Sequence, residues 1–397
     1  MNVCLFRLSA LGDATHVLAL IDAMQRDPVS QHWRLIWVLG PGEAKLVAGL
    51  PGVELVVYDK RSGLKGALRL RKELLRLLNG AEFDVLLQLQ LALRANLISR
   101  LIPAKRRIGF DARRSKELHS LVINERIASH AGPHVLDAML GFLAPLGIAR
   151  PTALHWPLVI PADAHAFAET HLPAGQRYLV LSPCSSHALR NWLPERYAAV
   201  ANFASEKLGL TPVLVGGKSA IETAMAAAIR TQLRGHYVDL VGKDTLKQLL
   251  AVLARAAVVL SPDSGPAHMA QALGTPVVGL YAATDAKRSG PYRAQQMCTQ
   301  HYANAARQFL GKPAENLRWG QKIEREGVMT LIGVDEVCVL LERAALGNRL
   351  SLCPSMLIVV APDRKNVSAR RRVALLELLL YKTLFLVACI AGFCERC

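Results

Sequence analysis

Short apolar runs alternate with segments of helical periodicity along most of the chain. In the first 155 residues, apolar runs at 3–8, 33–39, 54–58 and 84–90 predict buried strands, and the segments at 14–25 and 66–79 predict helices. Nearly continuous apolar strands separated by helices are typical of a parallel sheet with right-handed crossovers. The first part of the chain therefore predicts a doubly wound α/β unit.

The same alternation resumes at Arg177. Strands are predicted at 177–183, 212–216, 236–241, 256–261 and 276–281, and helices at 195–208, 219–232, 245–255, directly after Gly265, and at 334–346. Between the two series, Pro151, Pro157 and Pro161 interrupt regular structure, so a linker is expected at about 148–162. We therefore expect one domain at 1–155 and a second at 156–347.

The chain changes character after Gly347. Residues 348–397 contain three consecutive arginines at 370–372 and an apolar segment from Val373 to Phe393. The uncharged stretch of that segment, 383–394, has 12 residues. A helix of this length is too short for the roughly 30 Å core of a bilayer. We expect the tail at 348–397 to be either poorly packed or a helix that leans on a membrane.

Composition narrows the class of protein. The chain has 397 residues, of which 52% are apolar, and this excludes a disordered chain and a small disulfide-stapled module. Its eight cysteines have irregular spacing, which suits a reducing compartment. The start of the chain lacks a basic region followed by a long apolar stretch, so we expect a cytoplasmic protein.

The chain is strongly basic, with 48 Lys and Arg against 31 Asp and Glu and a net charge of +17. Nucleic acid, an anionic membrane surface and phosphorylated substrates are all possible partners for such a chain. Zinc-finger spacing and an aromatic RNA-binding run are missing from the sequence, and aromatic residues make up only 6%. Few side chains are therefore available to stack on bases, and we do not expect a nucleic-acid partner.

The first motif that can carry chemistry, Arg-Leu-Ser-Ala-Leu-Gly-Asp at 7–13, lies where the first strand meets the first helix. Ligands gather outside the carboxyl ends of strands in open α/β sheets. Gly12 permits a tight turn and a close approach of the backbone. Asp13 has two readings that the spacing leaves open, a cap of the helix and a general base facing a cleft between domains.

A second motif follows the strand at 256–261. Ser264 and Gly265 open a helix, and a helix start with small residues exposes N–H groups that favour a diphosphate. The alternative is an ordinary capped helix, with Asp263 or Ser264 as the cap. His268 by itself is more often a packed histidine than a catalytic one.

A third motif, at 182–194, follows the first strand of the second series. Ser185 and Ser186 offer hydroxyl donors, and Arg190 offers a planar cation for a phosphate. We expect Trp192 to belong to the core.

Together the three motifs resemble family 9 of the glycosyltransferases, the bacterial ADP-heptose:lipopolysaccharide heptosyltransferases. The resemblance covers about residues 1–346. Its most specific pieces are residues 7–13 and the run Asp-Ser-Gly-Pro-Ala-His at 263–268, which continues through 272–281 to Thr284 and Asp285. A weaker match is Arg-Ile-Gly-Phe at 107–110.

The resemblance implies a GT-B architecture, in which two Rossmann-like doubly wound domains face each other across a cleft. It implies an inverting, metal-independent transfer of heptose from ADP-heptose, without a cofactor, to the inner core of lipopolysaccharide. Asp13 matches the general base of the family. The donor site would fall on the residues Ser185 or Ser186, Arg190, Glu222, Asp263, Ser264, Gly265 and His268. Arg190 stands where the family usually has Lys, and the alignment that places Glu222 on the ribose is loose.

The resemblance also gives the basic charge a use. Lysines and arginines of the first domain would receive an acidic, lipid-linked saccharide and the inner leaflet beneath it, and the candidates are Lys60, Arg61, Lys65 and Arg113, with further positive charge on Arg69, Arg71, Lys72, Arg76, Lys105, Arg106, Arg107 and Arg114. The enzyme is then expected on the cytoplasmic face of the inner membrane, as a monomer. Two alternatives remain: a transferase or epimerase of the same fold with another nucleotide sugar, and a non-catalytic protein that binds anionic surfaces.

Overall fold

In the computed structural model of the protein, residues 1–129 and 132–352 are described, with side chains up to residue 346. Two parallel sheets organise this part of the chain. The strands of the first sheet are β1 Asn2–Phe6, β2 Arg34–Leu39, β3 Val53–Val57, β4 Phe83–Gln88, β5 Ala104–Gly109 and β6 Glu125–Arg126. The strands of the second are β7 Arg177–Leu181, β8 Leu210–Leu214, β9 Val238–Asp239, β10 Val258–Pro262 and β11 Val277–Leu280.

Helices connect the strands and cover both faces of each sheet. Those of the first lobe, built around β1–β6, are α1 Leu11–Arg26, α2 Pro41–Val47, α3 Gly63–Leu77, α4 Leu93–Ser99, α5 His119–Val122 and α6 Val135–Leu140. Those of the second lobe, built around β7–β11, are α7 Ala162–His171, α8 Pro194–Leu208, α9 Ala220–Arg230, α10 Leu246–Arg255, α11 Gly265–Ala272, α12 Ala286–Ser289, α13 Tyr302–Leu310 and α14 Val334–Leu352.

Both sheets reverse their strand order at their first strand. The order is β3-β2-β1-β4-β5-β6 in the first sheet and β11-β10-β7-β8-β9 in the second. In open α/β sheets, the crevice beside such a reversal is where ligands bind. The reversal lies between β1 and β4 in one lobe and between β7 and β10 in the other, so the segments that follow these strands are placed for binding.

The apolar core explains why the lobes hold together. One buried cluster runs through both of them, from Leu18 and Leu39 of the first lobe to Leu253 and Val259 of the second. Smaller clusters cover the outer face of each sheet. Helix α1 is buried along most of its length, including Thr15 and His16, because it packs between its own sheet and α11 of the second lobe. The N-terminal ends of α1 and α11 therefore meet.

The predicted alternation is confirmed, with local differences. Strand β9 has only two residues, where a strand at 236–241 was expected, because at this edge of the sheet only Val238 and Asp239 pair with β8. Strand β5 was not predicted, since its sequence Ala-Lys-Arg-Arg-Ile-Gly carries three cations. Helix α2 was missed as well, because its first residues, Pro-Gly, favour a turn.

Helix α14 continues to Leu352, beyond the predicted end at 346. The remainder of the tail expected at 348–397 lies outside the described residues. Within 1–129 and 132–352, no helix has both the length and the apolar character needed to cross a bilayer. The division into domains at 155 and 156 stays a prediction.

Candidate functional site

A cavity of about 920 Å³ opens at the carboxyl ends of the strands and is lined from both lobes. The first lobe contributes the segment after β1, Glu43 of α2 and Val135 of α6. The second contributes the segments after β7, β8, β9 and β10. Asp13 and every residue expected at the donor site line this one cavity, namely Ser185, Ser186, Arg190, Glu222, Asp263, Ser264, Gly265 and His268.

Asp13 lies in the first turn of α1 and is partly exposed, with 29% of its side chain accessible. Its Oδ2 accepts a hydrogen bond from the guanidinium of Arg7 and a long one, 3.4 Å, from the N–H of Ala10. The expectation that Asp13 caps the start of helix α1 is therefore confirmed. The same carboxylate borders the cavity, so capping and a role as a base are compatible for this residue.

Arg7 holds the carboxylate of Asp13 in place. Its Nε donates to the carbonyl of Ser9 at 2.7 Å, and another of its nitrogens donates to the carbonyl of Leu89. Only 13% of the Arg7 side chain is exposed. A cation anchored to two backbone carbonyls fixes the orientation of the carboxylate that it contacts.

Helix α11 presents its N-terminus to the cavity. The Ser264 hydroxyl lies 2.7 Å from the Ser261 hydroxyl and does not cap the helix. Ser264, Gly265 and Pro266 border the cavity. The N–H groups of the first helical turn have no partners within the helix, and the helix dipole adds partial positive charge. This end of the cavity suits an anion.

Asp263 is buried beside this helix and held by donors. Ser289 Oγ donates to its Oδ2 at 3.0 Å, and His268 Nε2 lies 3.7 Å from its Oδ1. Burial raises the pKa of the Asp263 carboxyl, but its interactions with His268, Thr284 and Ser289 outweigh burial and hold the pKa below its usual value. Asp263 is thus a fixed negative charge that orients His268 rather than a group that exchanges protons.

The loop after β7 adds a second cation. Arg190 is 7% exposed; its Nη2 donates to the Ser186 hydroxyl at 2.7 Å, and its Nε lies 3.2 Å from Glu324 Oε1. The Ser185 hydroxyl bonds within its own loop, donating to the carbonyl of His187 at 3.0 Å. Trp192 is 1% exposed, so the expectation that it belongs to the core is confirmed.

Glu222 has a structural task at the start of α9. One carboxylate oxygen accepts from the N–H of Gly217 at 2.7 Å, and the other accepts from the hydroxyl of Ser219 at 2.6 Å. Ser219 and Glu222 form a capping box. The carboxylate expected on the ribose is therefore already engaged by its own loop, which it shapes along the cavity wall.

Asp244, which the sequence motifs do not include, has one buried carboxylate oxygen without a partner. It precedes the Thr245 cap of α10 and borders the cavity. Its Oδ2 is buried without a hydrogen-bond partner. Burial raises the pKa of this carboxyl to about 6, and the nearby charge of Glu222 adds to the increase. No motif signals this residue, because it follows the two-residue strand β9.

Arg288 of α12 was also missed, although the resemblance reached Thr284 and Asp285, three residues earlier. Its guanidinium carbon lies 4.4 Å from the ring centroid of Trp319, and its Nε is buried without a hydrogen-bond partner. Burial lowers the pKa of Arg288 below its usual value, and the charges of Asp13 and Asp263 oppose this shift. Arg288 thus brings positive charge close to both carboxylates of the site.

Two further charged residues at the cavity carried no sequence signal. Lys322 comes from an irregular segment, and its pKa is lowered by burial and by the cations Arg190 and Arg288. Glu43 of α2 is 8% exposed, and burial raises the pKa of its carboxyl. Glu43 is thus a second acid of the first lobe at the cavity. Glu43 is buried, whereas Asp13 is partly exposed.

Three histidine rings pack against one another behind the motifs. The His16 ring lies 4.9 Å from that of His268 and 5.6 Å from that of His134, centroid to centroid. His134 Nδ1 accepts from the N–H of Leu136, so its Nε2 carries the proton donated to the carbonyl of Gly290 at 2.9 Å across the lobes. Burial lowers the pKa of His134 to about 4 and that of His16 well below its usual value. The rings of His16 and His134 therefore carry no charge at neutral pH.

The charged groups follow the strand order of the second sheet. From β11 to β9, the segments after the strands bring Arg288, then Asp263 and Ser264, then Arg190, then Glu222, and last Asp244. Neighbouring strands lie about 4.8 Å apart, so the row from β10 to β9 spans about 14 Å. Arg288, Arg190 and the N-terminus of α11 lie toward the β11 end of this row. The Asp244 oxygen without a partner lies at the β9 end.

The residues expected to hold an acceptor lie elsewhere. Lys60, Arg61, Lys65 and Arg113 belong to the first lobe and do not border the cavity. Arg61 pairs with Asp59 at 2.8 Å. The charge of Lys60 acts on the carboxyl of Glu43, which borders the cavity. Their role as acceptor ligands stays a prediction.

Part of the basic stretch near these residues is structural, which corrects the expectation that it offers free positive charge. Arg107 is 6% exposed, and its guanidinium donates to the carbonyls of Val122, Ile102 and Ser99. Arg114 is 5% exposed and lies 2.7 Å from Asp111. Lys105 and Arg106 form ion pairs with acidic neighbours on the surface. Among the described residues, no cluster of three or more His, Cys, Asp or Glu side chains is arranged as a metal site.

Comparison with known proteins gives a consistent result. Residues 71–317 match the family described as glycosyltransferase family 9 (heptosyltransferase). The chain is 36% identical over 336 residues to the lipopolysaccharide core heptosyltransferase OpsX of Haemophilus influenzae, covering 85% of this chain and 94% of that protein.

Solved structures agree. A family 9 glycosyltransferase from Veillonella parvula superposes with a TM-score of 0.71 at 19% identity, covering 87% of this chain and 97% of that one. The E. coli heptosyltransferase WaaC with ADP-2-deoxy-2-fluoro heptose gives a TM-score of 0.56 at 25% identity, covering 80% of this chain and all of that one. The expected GT-B fold is confirmed.

Proposed function

Because the chain belongs to glycosyltransferase family 9, the heptosyltransferase family, and is therefore a glycosyltransferase, we propose that it transfers heptose from ADP-heptose to the inner core of lipopolysaccharide. The observation that carries the proposal is the cavity that Asp13 of the first lobe shares with Ser264 and Gly265 of the second. The Asp13 carboxylate can accept a proton there, and the helix start at Ser264 and Gly265 can bind an anion. Transfer of a sugar from a nucleoside diphosphate needs both.

The donor lies along the second sheet in this proposal. Its diphosphate lies at the N-terminus of α11, near Arg190 and Arg288, where N–H groups and guanidinium groups stabilise the negative charge that develops as the diphosphate leaves. These groups are fixed before the reaction, so their charge needs little reorganisation. In this proposal the reaction needs no metal ion, because the N-terminus of α11, Arg190 and Arg288 stabilise the charge of the leaving diphosphate.

The nucleoside extends toward β9. The ribose lies at the loop that Glu222 shapes, and the adenine lies against Leu246 and Leu249, with its exocyclic amine donating to Asp244. Two facts support this placement. The Asp244 oxygen is buried without a donor, and such a group costs free energy until a donor arrives. The row of strands is also long enough for a nucleoside diphosphate.

Asp13 is the general base. Its carboxylate takes the proton from the acceptor hydroxyl as that oxygen attacks the anomeric carbon from the face opposite the diphosphate, which inverts the centre. Arg7 keeps the carboxylate oriented. The acceptor enters from the first lobe, where Lys60, Arg61, Lys65 and Arg113 are proposed to meet the acidic lipid-linked saccharide at the cytoplasmic face of the inner membrane.

The donor is tested by ligand binding. A ligand that binds only the folded state raises the thermal midpoint, so a thermal-shift series with ADP, UDP and GDP compares the nucleotides directly. We expect ADP to give the largest shift, and ADP-heptose with an inner-core acceptor to release ADP. Equal shifts with all three nucleotides, or no release of ADP, would contradict the proposal.

A further inference from the structure

Exposed leucines are concentrated on three consecutive helical segments of the first lobe. Fourteen large apolar residues are exposed in the described residues, and six of them are leucines of this region. We call this set the leucine face: Leu64 and Leu68, which are 70% and 52% exposed, Leu93 and Leu97, 43% and 56%, and Leu118 and Leu121, 55% and 73%.

The spacing of the six leucines places them in pairs. Leu64 and Leu68 are four residues apart on α3, and Leu93 and Leu97 are four apart on α4, so each pair lies on one side of its helix. Leu118 and Leu121 flank the start of α5. On α3 the opposite side is the core side, where Leu70 and Leu74 are buried. The exposed pair is therefore in excess of what the fold needs.

Hydrogen bonds join the three segments. Arg94 of α4 donates to the carbonyl of Lys60 at 3.3 Å, and Arg71 of α3 donates to the carbonyl of Leu101 at 3.0 Å. Between α4 and α5, the Leu93 N–H donates to Glu117 Oε2 at 2.6 Å. These bonds place the three leucine-bearing segments next to one another on the first lobe. Monomeric soluble proteins expose apolar side chains mostly singly, and a concentration of them marks an interaction site.

The charges around the leucine face indicate its partner. Exposed or partly exposed cations on the same segments are Lys60, Arg61, Lys65, Arg69, Arg94 and Lys116. Two of the acids on these segments are engaged, since Asp59 pairs with Arg61 and Glu117 accepts from the N–H of Leu93, and Glu73 of α3 is exposed. Leucines surrounded by lysines and arginines favour the boundary of an anionic bilayer, where apolar side chains enter the acyl region and cations meet the headgroups.

We propose that the leucine face docks this protein on an anionic lipid bilayer. The inference rests on the proposed function, because docking serves an enzyme whose acceptor is anchored in lipid. Lys60 belongs to this surface and also lies close enough to Glu43 for its charge to act on that carboxyl at the cavity. Docking here places the lobe that carries Asp13 against the leaflet that holds the acceptor.

The test is co-sedimentation of the full chain with two kinds of vesicle, phosphatidylcholine alone and phosphatidylcholine with about one third phosphatidylglycerol. The variants are the pairs Leu64→Ser with Leu68→Ser and Leu93→Ser with Leu97→Ser. The matched control is Val339→Ser with Leu346→Ser, two exposed apolar residues of α14 at 54% and 56%. Because all these side chains are exposed, the thermal midpoint should stay close to that of the wild type in every variant.

We expect the wild type to bind the anionic vesicles, and each leucine pair to weaken that binding by at least about tenfold. The control should bind like the wild type. Lys65→Gln with Arg69→Gln should reduce the preference for anionic vesicles by about fivefold for each charge removed. Equal binding by the leucine variants and the wild type, or no binding by the wild type, would overturn the proposal.

Two readouts separate this proposal from others. If light scattering shows that the wild type is a dimer and the leucine variants are monomers, the face binds a second copy and the membrane assignment is wrong. Turnover with a soluble acceptor lacking acyl chains should be equal in the wild type and the leucine variants, whereas turnover with the acceptor in vesicles should fall. Absence of turnover in the wild type with both acceptors would contradict the proposed function itself.

Discussion

A Cβ atom on Gly12 would lie 2.6 Å from Cδ2 of His268. Gly12 is the second residue of α1 in the first lobe, and His268 belongs to α11 in the second. The two helix starts therefore touch where a side chain of any size would separate them. His268 is buried and contacts Asp263 and His16, so it has little room to move. Close contact between the lobes at this point brings Asp13 and Ser264 to one cavity.

Gly12→Ala should therefore weaken the junction of the lobes. We expect a loss of about 1–3 kcal/mol of stability, the usual range for an overpacked site, and at least about a tenfold fall in kcat, since the base and the anion site move apart. Thermal unfolding and steady-state kinetics measure the two effects. Gly42→Ala is the matched control, because a Cβ there meets nothing within 4 Å. Equal behaviour of the two variants would contradict the close contact.

Arg288 should contribute to donor binding as a cation of the anion site. Arg288→Met removes hydrogen bonds to a charged group, which are worth about 1.5–3 kcal/mol, so the Kd for ADP should rise about 10- to 150-fold by titration calorimetry. Arg293→Met is the control, because Arg293 also stacks on a tryptophan, 4.6 Å from the Trp156 ring centroid, but does not border the cavity. An equal effect of both variants would mean that Arg288 acts only through packing.

Asp244 should recognise the adenine by accepting a hydrogen bond from its exocyclic amine. The wild type is expected to bind ADP at least about tenfold more tightly than inosine 5′-diphosphate, whose 6-oxo group faces the carboxylate with a second acceptor. Asp244→Asn should bring the two affinities to within about threefold, because an amide offers both a donor and an acceptor. Glu342→Gln, an exposed carboxylate of α14, is the control. A wild type that fails to distinguish the two nucleotides would refute this role.

The same residue gives a stability signature. The pKa of Asp244 in the folded chain, about 6, is above that of an unfolded aspartate, so its contribution to stability is complete at acid pH and is lost as pH rises through 6. Asp244→Asn should thus stabilise the free protein by about 2 kcal/mol at pH 8 and by much less at pH 4. Denaturant unfolding at the two pH values measures this. A variant less stable than the wild type at pH 8 would indicate a missed partner for the carboxylate.

Buried neutral histidines predict a loss of stability in acid. The pKa values of His119 and His134 are about 4 in the folded chain, whereas unfolded histidine has a pKa of about 6.5. As pH falls from about 6.5 to 4, the unfolded chain binds protons that the folded chain does not, so the free energy of unfolding decreases. His134→Gln should reduce the slope of unfolding free energy against pH by up to about 1.4 kcal/mol per pH unit in this window. An unchanged slope would show that His134 is already charged.

Much of the fold follows from the sequence because its strands are almost wholly apolar and its connecting helices are long. The motifs at 7–13 and 263–268 were found for the same reason, since each follows a strand whose end is easy to place. The expectation that they face each other came from the resemblance, and the Gly12 and His268 contact explains it physically.

The remaining site residues have no such local signal. Asp244 follows a strand of two residues, Lys322 lies in an irregular segment, and Glu43 follows a Gly-Pro-Gly sequence that is typical of a turn. Their importance arises from tertiary burial, which no local pattern reports. The structural use of Arg107 and Arg114 was hidden in the same way, because the sequence shows their charge but not the carbonyls and the carboxylate that surround them.

The central claim is that Asp13 is the base of the reaction. Asn has the same shape, keeps a hydrogen-bonding oxygen for Ala10 and cannot accept the proton. Glu43→Gln changes the other carboxyl of the first lobe at the cavity in the same way and serves as the matched comparison.

The most direct measurement is the single-turnover rate of ADP release from ADP-heptose in the Asp13→Asn and Glu43→Gln variants, with the Kd for ADP determined in parallel. We expect Asp13→Asn to bind ADP like the wild type and to lose about 10²- to 10⁴-fold in rate, while Glu43→Gln retains most of the rate. A rate for Asp13→Asn within about threefold of the wild type, or the large loss in Glu43→Gln instead, would contradict the assignment.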